Sequence, residues 1–229
     1  MRVFLAGLLA VLSLQAQGHV NLYSFEKETA VGRELAKGLE KHFTLVSPDV
    51  VEELGGQLVS TMPDLPFRIT FRVFESAKVQ ARQIPAQPAF PQNLESVGFL
   101  EPLVLPGGFI FIPSRMLQDL SREELAAGLA HALSHVALRH CTRMATRSEL
   151  IQRAAAPLPN QTPAMQEPVG LQKLARAFEL EADAAAIPML EKIGFSKRAL
   201  RSYLAKLPPV KRVIFASSPS PEERLATIN

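Results

Sequence analysis

Hydrophobic and polar positions change period several times along this chain. From Ser24, the run SFEKETAVGRELAKGLEKHF places apolar residues at helical spacing with charges between them, and Ser24 suits the N-cap. SPDVVEELGGQLVSTM predicts a second helix, with Ser47 as cap, Pro48 at the first helical position, and Asp49 and Glu52 at the positive end. The period drops to two in FRITFRVFE, residues 67–75, where Phe67, Ile69, Phe71 and Val73 share one face of a half-buried strand. Residues 76–102 are aperiodic and proline-rich, a length that suits a lid or another functional loop. After the corner Pro106-Gly107-Gly108, Phe109–Ile112 predicts a short apolar strand able to pair with residues 67–75. A capping box, Ser121-Arg122-Glu123-Glu124, opens the strongest helical pattern. It predicts one continuous helix to about Ala156, ended by Pro157. A proline-rich gap (157–169) precedes a helix over about Leu171–Ile193, stopped by Gly194, and a short helix over SKRALRSYLAKL. The segment PPVKRVIFASSPSPEERLATIN closes the chain. Helices, then a small sheet, then helices predict an α+β fold.

Composition sets the frame for this pattern. With 229 residues, 47% of them hydrophobic, the chain can bury one sizeable core. A net charge of +3 with dispersed basic residues gives no reason to expect a nucleic-acid partner. MRVFLAGLLAVLSLQAQG reads as an export signal: Arg2, an apolar run Val3–Leu14, and Ala16-Gln17-Gly18 as a small-x-small cleavage site. That run is shorter than the roughly 20 residues a membrane span takes. The expectation is therefore removal of residues 1–18 and a single domain over 19–229. The mature protein would be periplasmic or secreted, either free or peripheral to a membrane, with no spanning helix. A lone thiol, Cys141, allows no internal disulfide framework.

Chemistry concentrates in LAHALSHVALRH, residues 129–140, which holds three of the five histidines. On a helix, His131 and His135 differ by about 40° in direction, so both imidazoles can grip one ion. On a continuous helix His140 points roughly opposite to His131 and is expected at the surface or against a second helix. FELEAD, residues 178–183, can supply a third ligand, because Glu179 and Asp183 are also four apart. One carboxylate can bind metal while the other orients a ligand imidazole from behind. Each pair alone is commonly structural, as neutral core histidines or a solvated helix face. Against that plain reading, a carboxylate facing an alanine-rich core helix is costly without a metal or a donor.

EELAAGLAHALSHVALRH resembles the active-site helix of the HtpX/BepA-type zinc metallopeptidases (peptidase family forty-eight), whose consensus is His-Glu-x-x-His with another His a few residues on. LPGGFIFIPSRML resembles the strand and turn before that helix, FELEADAAAIPMLEKIGF the ligand helix, SSPSPEERL the C-terminal segment and NLYSFEKETAVGRELA the first helix. The resemblance implies a zincin-like α+β fold, mainly helical, and one zinc per chain on His131, His135 and Glu179. It places Asp183 behind a ligand and matches Arg224 to the family's terminal arginine. Unfolded or extended polypeptide is the implied partner.

Three departures stand out. Ala132 occupies the position of the glutamate that serves as general base, Ser218 replaces a histidine before Pro219, and Glu101-Pro102 stands where Asn-Ala is usual. General-base catalysis is worth roughly 10²–10⁴ in rate. The expectation is a metal site kept and proteolysis lost or strongly reduced. Two alternatives stay open: an active metalloendopeptidase with another base, such as Glu101, and a non-catalytic envelope protein that holds extended polypeptide along the sheet edge.

Overall fold

The computed structural model describes residues 20–46, 48–75, 100–154, 169–208 and 219–228. The expected leader, the expected cap Ser47, residues 76–99 of the expected loop, the gap over 157–168 and Ser218 lie outside the described residues.

Helix α1, Phe25–Glu40, starts as its sequence predicts, with the Ser24 hydroxyl accepting from the Lys27 N–H. The two-residue strand β1, Leu45–Val46, leads to α2, Asp49–Ser60, which has Pro48 at its N-cap, one residue later than expected. Strand β2, Thr70–Phe74, is followed by β3, Leu103–Leu105, a tight turn at Pro106–Gly108 and β4, Phe109–Pro113. The sheet order is β1-β2-β4-β3, with β2 and β4 parallel and both outer pairs antiparallel. Helices α3 (Ser114–Asp119), α4 (Arg122–Ala137), α5 (His140–Ala154), α6 (Val169–Lys192), α7 (Lys197–Lys206) and α8 (Pro221–Thr227) complete the fold. It is α+β, helical with one small mixed sheet, as expected.

Alternation in the strands feeds two cores. Phe67, Val73, Ile110 and Ile112 pack with Leu54, Leu58, Leu129 and Leu133 from α2 and α4. Phe74, Leu105 and Phe111 face the other way, against Leu35 and Leu39 of α1 and Phe43 beyond it. Phe43 stacks on Phe74 with ring centroids 4.4 Å apart. The second face of β2 is thus open at Arg72 but closed at Phe74, so the strand is more covered than the half-buried reading.

The turn before β4 explains its glycine. Gly107 has φ 72, and a side chain there would run into the Thr29 backbone of α1. Gly32 of α1 touches the same corner so closely that a Cβ would lie 1.8 Å from the Pro106 carbonyl oxygen.

One expectation fails. The pattern from Ser121 to Ala156 is two helices, α4 and α5, because Leu138 caps the first and Arg139 turns left-handed at φ 56. That conformation costs a non-glycine residue about 1–3 kcal/mol and persists only when its surroundings hold it. The Arg139 guanidinium is held by buried Glu28, at 2.7 Å, by the Tyr23 carbonyl and by the Phe25 ring beneath it. Among the described residues, no helix is long and apolar enough to cross a membrane.

Candidate metal centre

Helix α4 carries the centre and is buried almost all round. Its N-terminus is fixed by the capping box, in which the Ser121 hydroxyl accepts from the Glu124 N–H and the Glu124 carboxylate accepts from the Ser121 N–H. Glu124 also accepts from Lys206, at 2.6 Å, and from the Ser202 hydroxyl, at 2.6 Å, which ties α7 to this end. Ala127 and Ala130 of α4 and Ala182 and Ala186 of α6 are all fully buried, so the two helix backbones can approach closely. That approach brings the two i,i+4 pairs together.

The Nε2 atoms of His131 and His135 lie 3.0 Å apart. Glu179 reaches His131 Nε2 at 3.3 Å and His135 Nε2 at 3.6 Å, using one carboxylate oxygen for each. Four ligands at zinc's usual distances are separated by about 3.3 Å along each tetrahedral edge. Two imidazole nitrogens and a carboxylate at this spacing form the donor set and geometry that zinc takes, and the residues fit the ion.

Asp183, 1% exposed, stands behind His131 with Oδ1 3.0 Å from Nδ1. It also takes a two-pronged contact from Arg224, Nε to Oδ2 at 2.8 Å and Nη2 to Oδ1 at 2.7 Å. Arg224 is itself buried. Its Nη1 lies 3.5 Å from Glu179 and 3.4 Å from Glu101, so this guanidinium joins α8, α6 and the start of β3. The Tyr203 hydroxyl donates to the Leu100 carbonyl at 3.0 Å, anchoring the chain beside Glu101.

Ala132 is 1% exposed, its methyl packed in the main core. Ser218 lies outside the described residues. His140 differs from its sequence reading. Its ring is buried, because the break at Arg139 swings it back toward α4, and its Nδ1 lies 3.0 Å from His135 Nδ1. The expected contact with a second helix does form, through Glu181 Oε2 at 3.2 Å and a stack on Phe178 of α6. Glu181 and its partner Arg143, at 3.1 Å, escaped the sequence reading altogether. Glu181 lies two residues from each carboxylate of the i,i+4 pair, off their shared face, and no glycine or proline in ALRH marks the break that brings His140 to it.

Protonation follows the same contacts. Burial and the Arg224 charge press His131 downward, but hydrogen bonds to Asp183 and Glu179 outweigh them and carry it up to about 9. Burial lowers His135 to about 4. Burial would raise Glu179, yet the two imidazoles hold its carboxyl well below the usual range. Glu101 is raised, first by burial and then by the charge of Glu179.

A helix pair presenting His-x-x-x-His and Glu-x-x-x-Asp over a small mixed sheet defines a protein of the zincin-like metallopeptidase class. The sequence model of peptidase family M48 matches residues 98–229, more than half of the chain, and the chain belongs to that family. Membership implies a zinc metallopeptidase type of function, with polypeptides as substrates. A search of the curated proteins returns no match.

Proposed function

We propose that this family member binds one zinc ion through His131, His135 and Glu179 while its proteolysis is lost or strongly reduced. The observation that carries the reading is the contrast within α4. The three candidate ligand atoms converge within 4.8 Å, whereas position 132 offers a buried methyl and no carboxylate. Zinc, when bound, supplies Lewis-acid polarisation of a peptide carbonyl and acidifies water. The chain's own residues supply the rest. Asp183 accepts from His131 Nδ1–H and leaves Nε2 free for the ion, and Arg224 keeps Asp183 ionised and in place. Ala132 cannot take a proton from water and return it to a leaving amine, the work a glutamate at that position would do.

The mature chain, residues 19–229, is exported to the periplasm or beyond, and extended polypeptide is its partner. Elemental analysis of the purified mature chain should give about one zinc, and His135→Ala should remove it. Zinc content unchanged in His135→Ala would sink the assignment.

A second reading has one observation in its favour. Glu101 sits one guanidinium away from Glu179 and His131, a third exposed, and its carboxyl is raised by burial. A carboxylate so placed could serve as the base from the strand side. In that case chelator-sensitive casein cleavage by the natural chain would be lost in Glu101→Gln. If cleavage is absent to begin with, the first reading stands.

A further inference from the structure

Behind His135, on the side away from Glu179, three further groups form a line through the protein. His135 Nδ1 meets His140 Nδ1 at 3.0 Å, His140 Nε2 meets Glu181 Oε2 at 3.2 Å, and the same Glu181 oxygen accepts from Arg143 Nη1 at 3.1 Å. The His140 ring has little freedom, because it stacks on Phe178 with centroids 4.1 Å apart and planes 6° from parallel.

The direction of each hydrogen bond follows from what each group can do. An ionised carboxylate only accepts, so Glu181 requires a proton on His140 Nε2. With that proton on Nε2, the neutral His140 ring keeps its lone pair on Nδ1, the atom that faces His135. Two facing Nδ1 atoms need one proton between them, and that proton then belongs to His135. A neutral His135 with its proton on Nδ1 has a bare Nε2, the atom that faces Glu179 and His131.

We infer that His140 and Glu181 are positioning residues that fix His135 in the Nδ1–H tautomer, leaving its Nε2 free to bind the metal. Resting on the zinc reading above, this gives the second histidine the orienting partner that Asp183 provides for the first. The two ligand imidazoles are held by different means. His131 meets a carboxylate directly, whereas His135 meets one through an intervening neutral ring, and that route exists only because the chain breaks at Arg139. On an unbroken helix His140 would stand about 140° round from His135 and could not face its Nδ1.

The test uses the full mature chain, with the tautomer read by long-range ¹H–¹⁵N correlation of the histidine rings in zinc-free protein and zinc affinity by competition with a chromophoric chelator. In the natural chain His135 should be the Nδ1–H form. His140→Phe keeps the stack on Phe178 but removes the acceptor. It should lose that tautomer preference and bind zinc about 10–100-fold more weakly. Glu181→Ala alters a side chain that is 42% exposed and is expected to fold normally, so it serves if His140→Phe does not fold. Without the carboxylate, His140 is free to carry its proton on Nδ1, and the His135 signal should shift toward the Nε2–H form. An Nε2–H His135 in the natural chain, or an unchanged His135 tautomer in both variants, would overturn the inference. A natural chain that binds no zinc yet shows the Nδ1–H form would refute the metal reading alone.

Discussion

At the scale of single residues, the centre is a set of charges that hold one another in place. Asp183 illustrates this. The sequence implies only a carboxylate behind a ligand. In the structure it also takes the two-pronged contact of buried Arg224, so alanine would leave that cation only its longer contacts to Glu101 and Glu179, a loss of about 3 kcal/mol. Asp183→Asn keeps the shape and is the better variant. It should weaken zinc binding by about 10–100-fold while thermal unfolding shows the fold retained. His131 adds a pH dependence. With its zinc-free pKa raised to about 9, metal must displace a proton at neutral pH. Zinc affinity should therefore fall about tenfold for each unit of pH below 9, and calorimetry in buffers of different ionisation heat should count about one proton released. The sign for stability is opposite. A raised histidine stabilises the zinc-free fold fully below about pH 6.5, and this contribution disappears as pH rises through 9.

At the scale of elements, two junctions hold the active helix. One is Glu124 at the start of α4. Burial would raise it, but Lys206, Ser202 and the Ser121 N–H carry it down to about 2. Its contribution is present above about pH 4.5 and is lost as pH falls toward 2, and Glu124→Ala should cost about 1–2 kcal/mol in denaturant unfolding at pH 7. The other is the α4–α5 break, where Glu28 of α1 holds the left-handed Arg139. Glu28→Ala should cost about 3 kcal/mol, at the low end for a broken buried pair because Arg139 is a fifth exposed. Most of these elements were legible in the sequence. The Ser24 cap, the Ser121–Glu124 box, the alternation in Phe67–Val73 and the stop at Gly194 are local signals and each appears where expected. The α4–α5 break was not legible, because it is imposed by a partner 111 residues away in sequence rather than by any local breaker. The contact of His140 with His135, and Glu181 as its partner, were missed with it. The i,i+4 spacing made legible that His131 and His135 share one face and that Glu179 and Asp183 share another, while the choice of Glu179 as third ligand came from the family resemblance. The Arg224 contacts were not, since they depend on how α8 docks.

At the scale of the whole molecule, the family match begins at residue 98, yet α1 and β2 from the earlier part are built into the same body. β2 pairs with β4 along its length, and Glu28 reaches across to Arg139. Metal and fold should therefore be linked. Zinc at about a hundred times its Kd contributes about 2.7 kcal/mol, so chelation should lower the thermal midpoint by about 5–10 °C. If the leader is cleaved as its sequence suggests, mass spectrometry of protein from the cell envelope or medium should show residues 1–18, or the first 16, removed. Intact Met1-bearing protein found solely in the cytoplasm would contradict export. The central claim, a zinc site kept without its base, is tested most directly by chelator-sensitive casein hydrolysis, with the zinc-loaded natural chain measured beside Ala132→Glu. The natural chain should remain near background, and the variant should gain at least about 100-fold if proton transfer is the main missing function. Strong chelator-sensitive hydrolysis by the natural chain would contradict the account.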